Sequence, residues 1–355
     1  MRVRQVGVEE EFLLFDADRP RLVDLGAAVV AAASADDDAQ FEKELKKAQA
    51  ESASAPTKSL ADLAAELTER RAELVHAAGE RGARVVASGT CPVPGHTSTT
   101  DDRRYRQMAA RFAATARRQL TCAMHVHVDL ESRAEGVRVL NRLGGWLPVL
   151  IALAANSPFH EGRDTGYAGY RRMVWDEWPT AGVTGRFADE DDYAATVRQL
   201  IASGAARDEA MIYFDARLSA RYPTVEIRVC DVCLDAEDAV TIAGLSRALV
   251  ATVAADDSAP QVRTELATAA GWRAARWGMT EQLVDLRDDT TLVPAWDLVD
   301  ALFDYVESAL DAAHDGDRVT AGLARIRERG TGAQRQRAAA DGDAARAVDA
   351  ATLRR

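Results

Sequence analysis

The chain has 355 residues, 47 % hydrophobic and 28 % charged, as expected of a globular protein with a sizeable core. Its formal charge is −12, from 44 Lys and Arg against 56 Asp and Glu, which argues against a nucleic-acid partner. Four cysteines in so long a chain do not make a disulfide framework, no signal-peptide core opens it, and the longest apolar run, 146–155, is too short to span a bilayer; a cytoplasmic protein without a membrane partner is expected.

Residues 5–15 read as a strand with Glu9 and Glu11 on one face. Val8, Phe12 and Leu14 form the other face, with Glu10 among them. Two carboxylates at i, i+2 repel each other unless a cation lies between them, and a hard divalent cation suits that place. A solvated acidic edge is the plainer alternative. Residues 59–82 have helical apolar spacing, with Gly82 where a C-cap belongs. A short strand is expected at 84–88, a Pro/Gly loop at 89–100 and a helix at 103–119. The next strand, Cys122–Leu130, splits at a period of two: Cys122, Met124, Val126, Val128 and Leu130 are all apolar, while His125, His127 and Asp129 alternate with them. Two imidazoles at i, i+2 look like the wall of a site, since imidazole is the commonest metal ligand.

A long apolar helix is expected over 134–155, ended by Asn156-Ser157-Pro158. Residues 157–188 then form a loop rich in Arg and Trp, whose aromatic density argues against disorder and for function. A helix follows at 189–204, then strands at 211–218 and 223–232. In the second of these, Val225, Ile227 and Val229 face one way and Glu226, Arg228 and Cys230 the other. A surface salt bridge is the plain alternative for Glu226 and Arg228. Helices are expected at 235–256, 260–276, 279–288, 294–314 and 317–329. From Thr331 the chain is nearly bare of apolar residues other than Ala and reads as a frayed or disordered tail, leaving one catalytic domain over 1–330.

No glycine-rich phosphate loop follows any strand. Strands with one charged face do not suit a sheet covered on both sides, so an α+β fold with an antiparallel sheet and an open polar face is expected. If the Glu9/Glu11, His125/His127 and Glu226/Arg228 faces converge, the cavity suits Mg²⁺ or Mn²⁺ bridging phosphates. A strand carrying His-x-His also serves metal-dependent amidohydrolases, but these need further histidines downstream, and only His160 and His314 follow. A non-catalytic relative would tend to lose unpaired cavity charges.

Val6-Gly-Val-Glu-Glu-Glu-Phe-Leu-Leu14, Cys122-Ala-Met-His-Val-His-Val128, Ala155-Asn-Ser-Pro-Phe159 and Gly162-Arg-Asp-Thr-Gly-Tyr167 resemble blocks of the glutamate–cysteine ligase type 2 family of carboxylate–amine ligases. So do Val174-Trp-Asp-Glu-Trp-Pro-Thr-Ala-Gly182, Val225-Glu-Ile-Arg-Val-Cys-Asp-Val232 and Trp272-Arg-Ala-Ala-Arg276, and the blocks run in family order from about 5 to 315. The resemblance implies a glutamine-synthetase-like fold, a curved, mainly antiparallel sheet forming a funnel with helices outside. It implies ATP as co-substrate, Mg²⁺ (or Mn²⁺), and ligation of glutamate to cysteine through a γ-glutamyl phosphate, or else of glutamate or another carboxylate to a different amine. It assigns Glu9, Glu11, Glu51, His125 and Glu226 to metal binding. Glu51 stands in Gln49-Ala-Glu51, which is similar to the family's Gln-x-Glu segment, although Lys46-Lys-Ala48 before it departs from the pattern. Glu226 and Arg228 would be catalytic, with Arg228 and His127 on phosphate. Arg163, Tyr167, Arg171 and Trp175 would recognise the amino-acid substrate. A homo-oligomeric state is left open.

Overall fold

The computed structural model describes residues 2–34, 41–256, 262–287 and 290–354. In chain order, strand β1 (Val6–Asp16) is followed by helix α1 (Gly26–Ala33), strands β2 (Phe41–Lys43) and β3 (Gln49–Ala53), helix α2 (Leu60–Gly79) and strand β4 (Ala83–Val86). Helices α3 (Arg103–Phe112) and α4 (Ala114–Arg118) lead into β5 (Ala123–Asp129), then α5 (Arg133–Leu143) and α6 (Leu147–Leu153). The small hairpin β6 (Phe159–His160) and β7 (Arg163–Asp164) precedes α7 (Arg171–Trp175) and α8 (Glu190–Ala202). Strands β8 (Ala216–Leu218) and β9 (Thr224–Asp231) come next, then α9 (Ala236–Ala255), α10 (Thr264–Trp277) and the hairpin β10 (Gln282–Asp285) and β11 (Thr291–Pro294). Four helices end the described chain: α11 (Ala295–Ala313), α12 (Gly316–Arg329), α13 (Gly332–Ala340) and α14 (Ala344–Ala350).

The main sheet has the order β2-β3-β1-β5-β9-β8, with β4 also on β1, and every pairing is antiparallel. The alternation read from sequence decides its faces. Val6, Val8, Met124, Val126, Val128, Val225 and Ile227 enter one apolar core with α2, α5, α6 and α9. Each such side chain, fully buried, contributes roughly 1.5–3 kcal/mol. Helix α9 is long and apolar enough for a membrane span, but 89 % of its most apolar window is buried in the fold. Glu10, the odd residue on the apolar face of β1, is fully buried against Arg71. The Arg71 guanidinium donates to both Glu10 oxygens, at 2.9 and 2.5 Å, and to the Cys233 and Leu234 carbonyls, each at 2.9 Å. A buried charge pair is tolerated when its remaining polar atoms find partners as these do.

Several sequence expectations are corrected. The 134–155 helix is two helices, α5 and α6, bent by 71° at the break; Gly144-Gly145 and the ring of Pro148 stop a continuous run. The 103–119 helix breaks at Ala113, whose φ is +47°. The helix expected at 279–288 is strand β10, paired with β11, and residue 288 lies outside the described residues, as do 260 and 261 of the 260–276 helix. The chain does not fray from Thr331. Thr331 and Gln334 form a capping box for α13. Ala340, Ala344, Ala347, Val348 and Ala351 are buried in a second core with Phe12, Phe15 and Val86. Ala87 N donates to Ala351 O and Leu353 N to Val85 O, laying the end of the chain along β4.

Candidate active site

The polar faces of β1, β5 and β9 do converge, and the register shows how. Glu42, Glu51 and Glu11 form one row across β2, β3 and β1. Glu9 lies opposite His125. Gly7, His127, Glu226 and Arg217 form a third row across β1, β5, β9 and β8. The rows line a cavity of about 310 Å³, whose far wall carries Tyr105, Trp175, Trp178 and Tyr213. On β9, Val126 faces Ile227 but Met124 faces Cys230, so one extra residue is inserted opposite His125. This bulge re-aims the strand. Arg228 points into the cavity, whereas Cys230, expected beside it, is in the apolar core.

Two groups of ligand-type atoms result. In Glu11, Glu44 and Glu51 one carboxylate oxygen of each lies within 4.8 Å of the others, and so do one carboxylate oxygen each of Glu9 and Glu226 and a ring nitrogen of His127. At an effective dielectric near 20, two charges so spaced repel by about 3–4 kcal/mol. No Lys or Arg among the described residues is within ion-pair reach of Glu11, Glu44 or Glu51. Burial, with the charge of Glu44, pushes Glu11 up to about 8. Burial and the Glu44 carboxylate raise Glu51 well above the ordinary range. Hard oxygen donors in that number fit Mg²⁺ or Mn²⁺.

The second group is balanced internally. Burial opposes the charge on Glu226, but Arg228 and Arg217 outweigh it and hold its pKa low. Arg217 forks onto Glu226 at 2.8 and 3.1 Å, and Arg228 Nη1 pairs with the same carboxylate. Burial also opposes the charge on Glu9, yet His125 and His127 keep it well below its usual range. His125 Nδ1 is 3.2 Å from Glu9 Oε2. Burial and the charge of Arg228 push His125 down to about 4. His127 Nδ1 pairs with Thr224 Oγ1 at 3.0 Å. Its Nε2 is 3.3 Å from Glu9 Oε1, outside good hydrogen-bond geometry. Burial lowers its pKa, but the pull of Glu9 outweighs this and raises it. Nε2 of both histidines is buried without a well-formed hydrogen bond, as a metal-facing nitrogen would be.

Of the residues expected at the site, Glu9, Glu11, Glu51, His125, His127, Trp175, Glu226 and Arg228 line the cavity together. His127, not His125, shares the compact group with Glu9 and Glu226. The other three are elsewhere. Arg163 is exposed on β7. Tyr167 packs under Arg276 and accepts from Trp272 Nε1 at 3.2 Å. Arg171 is buried behind the wall, 5.5 Å from the Trp175 ring.

The sequence profile of glutamate–cysteine ligase family 2 matches residues 5–350. A protein of Frankia alni named "Putative glutamate–cysteine ligase 2-2" is 48 % identical, over 95 % of this chain and 92 % of its own. The chain belongs to glutamate–cysteine ligase family 2. A second relative, from Streptomyces coelicolor and similarly named, is 44 % identical over 94 % of each chain. At 14 % identity, a glutamate–cysteine ligase of Francisella tularensis in complex with AMP shares the fold, with a TM-score of 0.73 over 99 % of this chain and 88 % of that one. A bifunctional glutathione synthetase of Pasteurella multocida gives 0.71 at 13 % identity, over 98 % and 52 %. In this family 2 ligase Glu44 and Arg217 are among the cavity residues that the sequence pattern did not single out. Glu42 and Glu44 repeat the i, i+2 carboxylate spacing of Glu9 and Glu11, which was the available signal. Nothing local marks Arg217, whose role appears only once β8 pairs with β9.

Proposed function

We propose that the cavity joins a carboxylate to an amine at the expense of ATP, with glutamate and cysteine as the reference pair. The γ-carboxylate of glutamate attacks the γ-phosphorus of ATP, and the bond to ADP breaks. The amine then attacks the acyl carbon, loses a proton and expels phosphate, leaving γ-glutamylcysteine. One observation carries the reading: a cation-seeking carboxylate group and a paired Arg217/Arg228 site line one cavity. Family membership and the AMP-bound Francisella relative support it.

Glu11, Glu44 and Glu51 would hold one divalent cation, and Glu9, His127 and Glu226 another, with His125 adjacent. Such ions would screen the triphosphate charge. Arg228 offers a planar fork that stays charged, suited to the transferring phosphoryl group or the carboxylate it joins. Arg217 keeps Glu226 ionised beside it. Trp175 and Tyr213 brace Arg228, with ring centroids 5.6 and 5.8 Å from its guanidinium carbon.

The test is ADP release with ATP, Mg²⁺ and glutamate across a panel of amino acids and simple amines, with products identified by mass. Glutamate-dependent ADP release and a γ-glutamyl amide are expected. The panel also decides the acceptor, since pocket shape sets such preferences. No ADP release with any carboxylate–amine pair sinks the reading.

A further inference from the structure

A second polar layer runs behind the cavity wall, from the C-terminal helix to Arg228. Gln336 on α13 is wholly buried. Its Nε2 donates to Asn156 Oδ1 at 2.7 Å and Asn156 O at 3.0 Å. Asn156 N donates to Asp231 Oδ2 at 2.9 Å, and Ser157 Oγ donates to the same oxygen at 2.6 Å. Arg171 N donates to Ser157 Oγ at 2.9 Å. The Arg171 guanidinium is 3.9 Å from Asp231 Oδ1 and donates from Nη2 to the Arg228 carbonyl at 3.2 Å. Two glycines make the layer tight. A Cβ at Gly332 would stand 2.1 Å from Asn156 Oδ1, and one at Gly89 would stand 2.7 Å from Asp231 Cγ.

The layer ends where the sheet is irregular. A bulge takes backbone groups out of the ladder, and buried ones must find other partners. Arg228, in the bulge, sends its N–H to Asp215 O at 2.9 Å and receives Arg171 at its carbonyl. Asp215 is itself held by the Arg172 guanidinium at 3.0 Å. The guanidinium groups of Arg171 and Arg228 also share the Trp175 ring, at 5.5 and 5.6 Å. At 2 % exposure, and absent from the cavity lining, Arg171 has no surface to offer a substrate.

We propose that Arg171 is a positioning residue for Arg228, and that helix α13, through Gln336 and Asn156, is part of the device that sets it. The functional half of this inference rests on the ligation reading above. The structural half does not.

Two full-length variants test it. Arg171→Lys keeps a positive charge near Asp231 but loses the planar contact with Trp175 and the reach to the Arg228 carbonyl. Gln336→Leu keeps volume and cuts the far end of the chain. For Arg171→Lys, kcat is expected to fall roughly 10- to 100-fold, as for an ångström-scale misplacement, with KM for ATP kept within about twofold. For Gln336→Leu the fall is roughly two- to thirtyfold, the range for a coupled remote site. Crystal structures of both should show an intact sheet with the Arg228 guanidinium moved off Trp175. Arg228 unmoved in both structures overturns the proposal whatever the kinetics, and so does unchanged kcat in both beside an active parent. A parent without ligation activity sinks the ligation reading instead, and the two crystal structures then decide the positioning claim alone.

Discussion

Glu226 is enclosed by two guanidinium groups and, on the neighbouring strand, by two imidazoles. Glu226→Gln keeps its shape and removes the charge that both arginines answer to. Turnover is expected to fall by at least roughly 10²-fold, the scale for losing one preorganised electrostatic group, with the far-UV circular dichroism unchanged; an active variant would remove Glu226 from the machinery. The carboxylate group on β1 and β3 makes a different prediction. Folding raises the pKa of Glu11 to about 8, chiefly through burial and then through Glu44. The folded protein therefore keeps a proton the unfolded chain gives up. The stability from that proton is fully present below about 4.5, the unfolded value, and is lost as pH rises through about 8. The metal-free protein is expected to melt at lower temperature at pH 8 than at pH 5. Divalent cation uptake at pH 7 must displace protons. Calorimetry in buffers of different ionisation enthalpy should detect that release, shrinking above pH 8. Cation binding without proton release at pH 7 would mean the acids are already ionised. These residues also show where a sequence reading ends. Glu9, Glu11, His125 and Glu226 were legible because a charge on a strand whose other face is apolar has few uses. The compact grouping of His127 with Glu9 and Glu226 was not, because it depends on which strand lies opposite which residue.

Strand register does most of the work of building the site, and it is held by close backbone contacts. Helix α1 meets β3 at Gly26, where a Cβ would lie 2.2 Å from Gln49 O and 2.7 Å from Lys47 O. Neither carbonyl is a flexible side-chain end, so Gly26→Ala must push α1 away from the strand that carries Glu51. A loss of about 1–3 kcal/mol is expected, the usual cost of overpacking, with weaker divalent cation binding as a second effect. Denaturant melts and a Mn²⁺ titration check both. The long amphipathic helix α2 was readable from its apolar periodicity. The elements that escaped are short or defined by partners. Strands β2 and β3, with three and five residues, carry little periodic signal. Strand β10 reads as helix until β11 is seen to pair with it. The bulge at Arg228 is invisible in a sequence that alternates cleanly through Cys230, and it separates the cysteine from the two charged residues it was grouped with.

At the scale of the molecule, the sheet curls until its edges meet across the cavity mouth. Arg221, between β8 and β9, reaches Glu42 on β2 at 3.3 Å. Helix α3 bridges the same edges, with Tyr105 donating to Lys43 O and Arg104 paired with Asp208. A curled antiparallel sheet was foreseeable from its one-sided charge. The place of the C-terminal segment was not, because alanine contributes little to an apolar count and much to close packing when a helix lies flat on a core. Helices α13 and α14 bury four alanines and Val348, and Ala351 just beyond them is buried too. They are tied on by three ion pairs, Arg335–Asp235, Arg337–Asp164 and Arg84–Asp349. These partly exposed pairs are worth at most about 1 kcal/mol each, so the apolar contact and the Gln336–Asn156 bonds must hold the segment. Ending the chain after Gly330 would uncover Phe15, Val85 and Val86, open the edge of β4 and leave buried Asn156 without its Gln336 partner. The truncated protein is expected to melt more than roughly 5 °C lower, as a loss of a few kcal/mol implies at this size, and to aggregate through the exposed strand edge. A dispensable tail would leave the melting temperature and solubility untouched. Arg335→Ala separates the surface ion pair from the packing: it should cost under about 1 kcal/mol, and a cost as large as that of truncation would place the holding energy in charge rather than in burial.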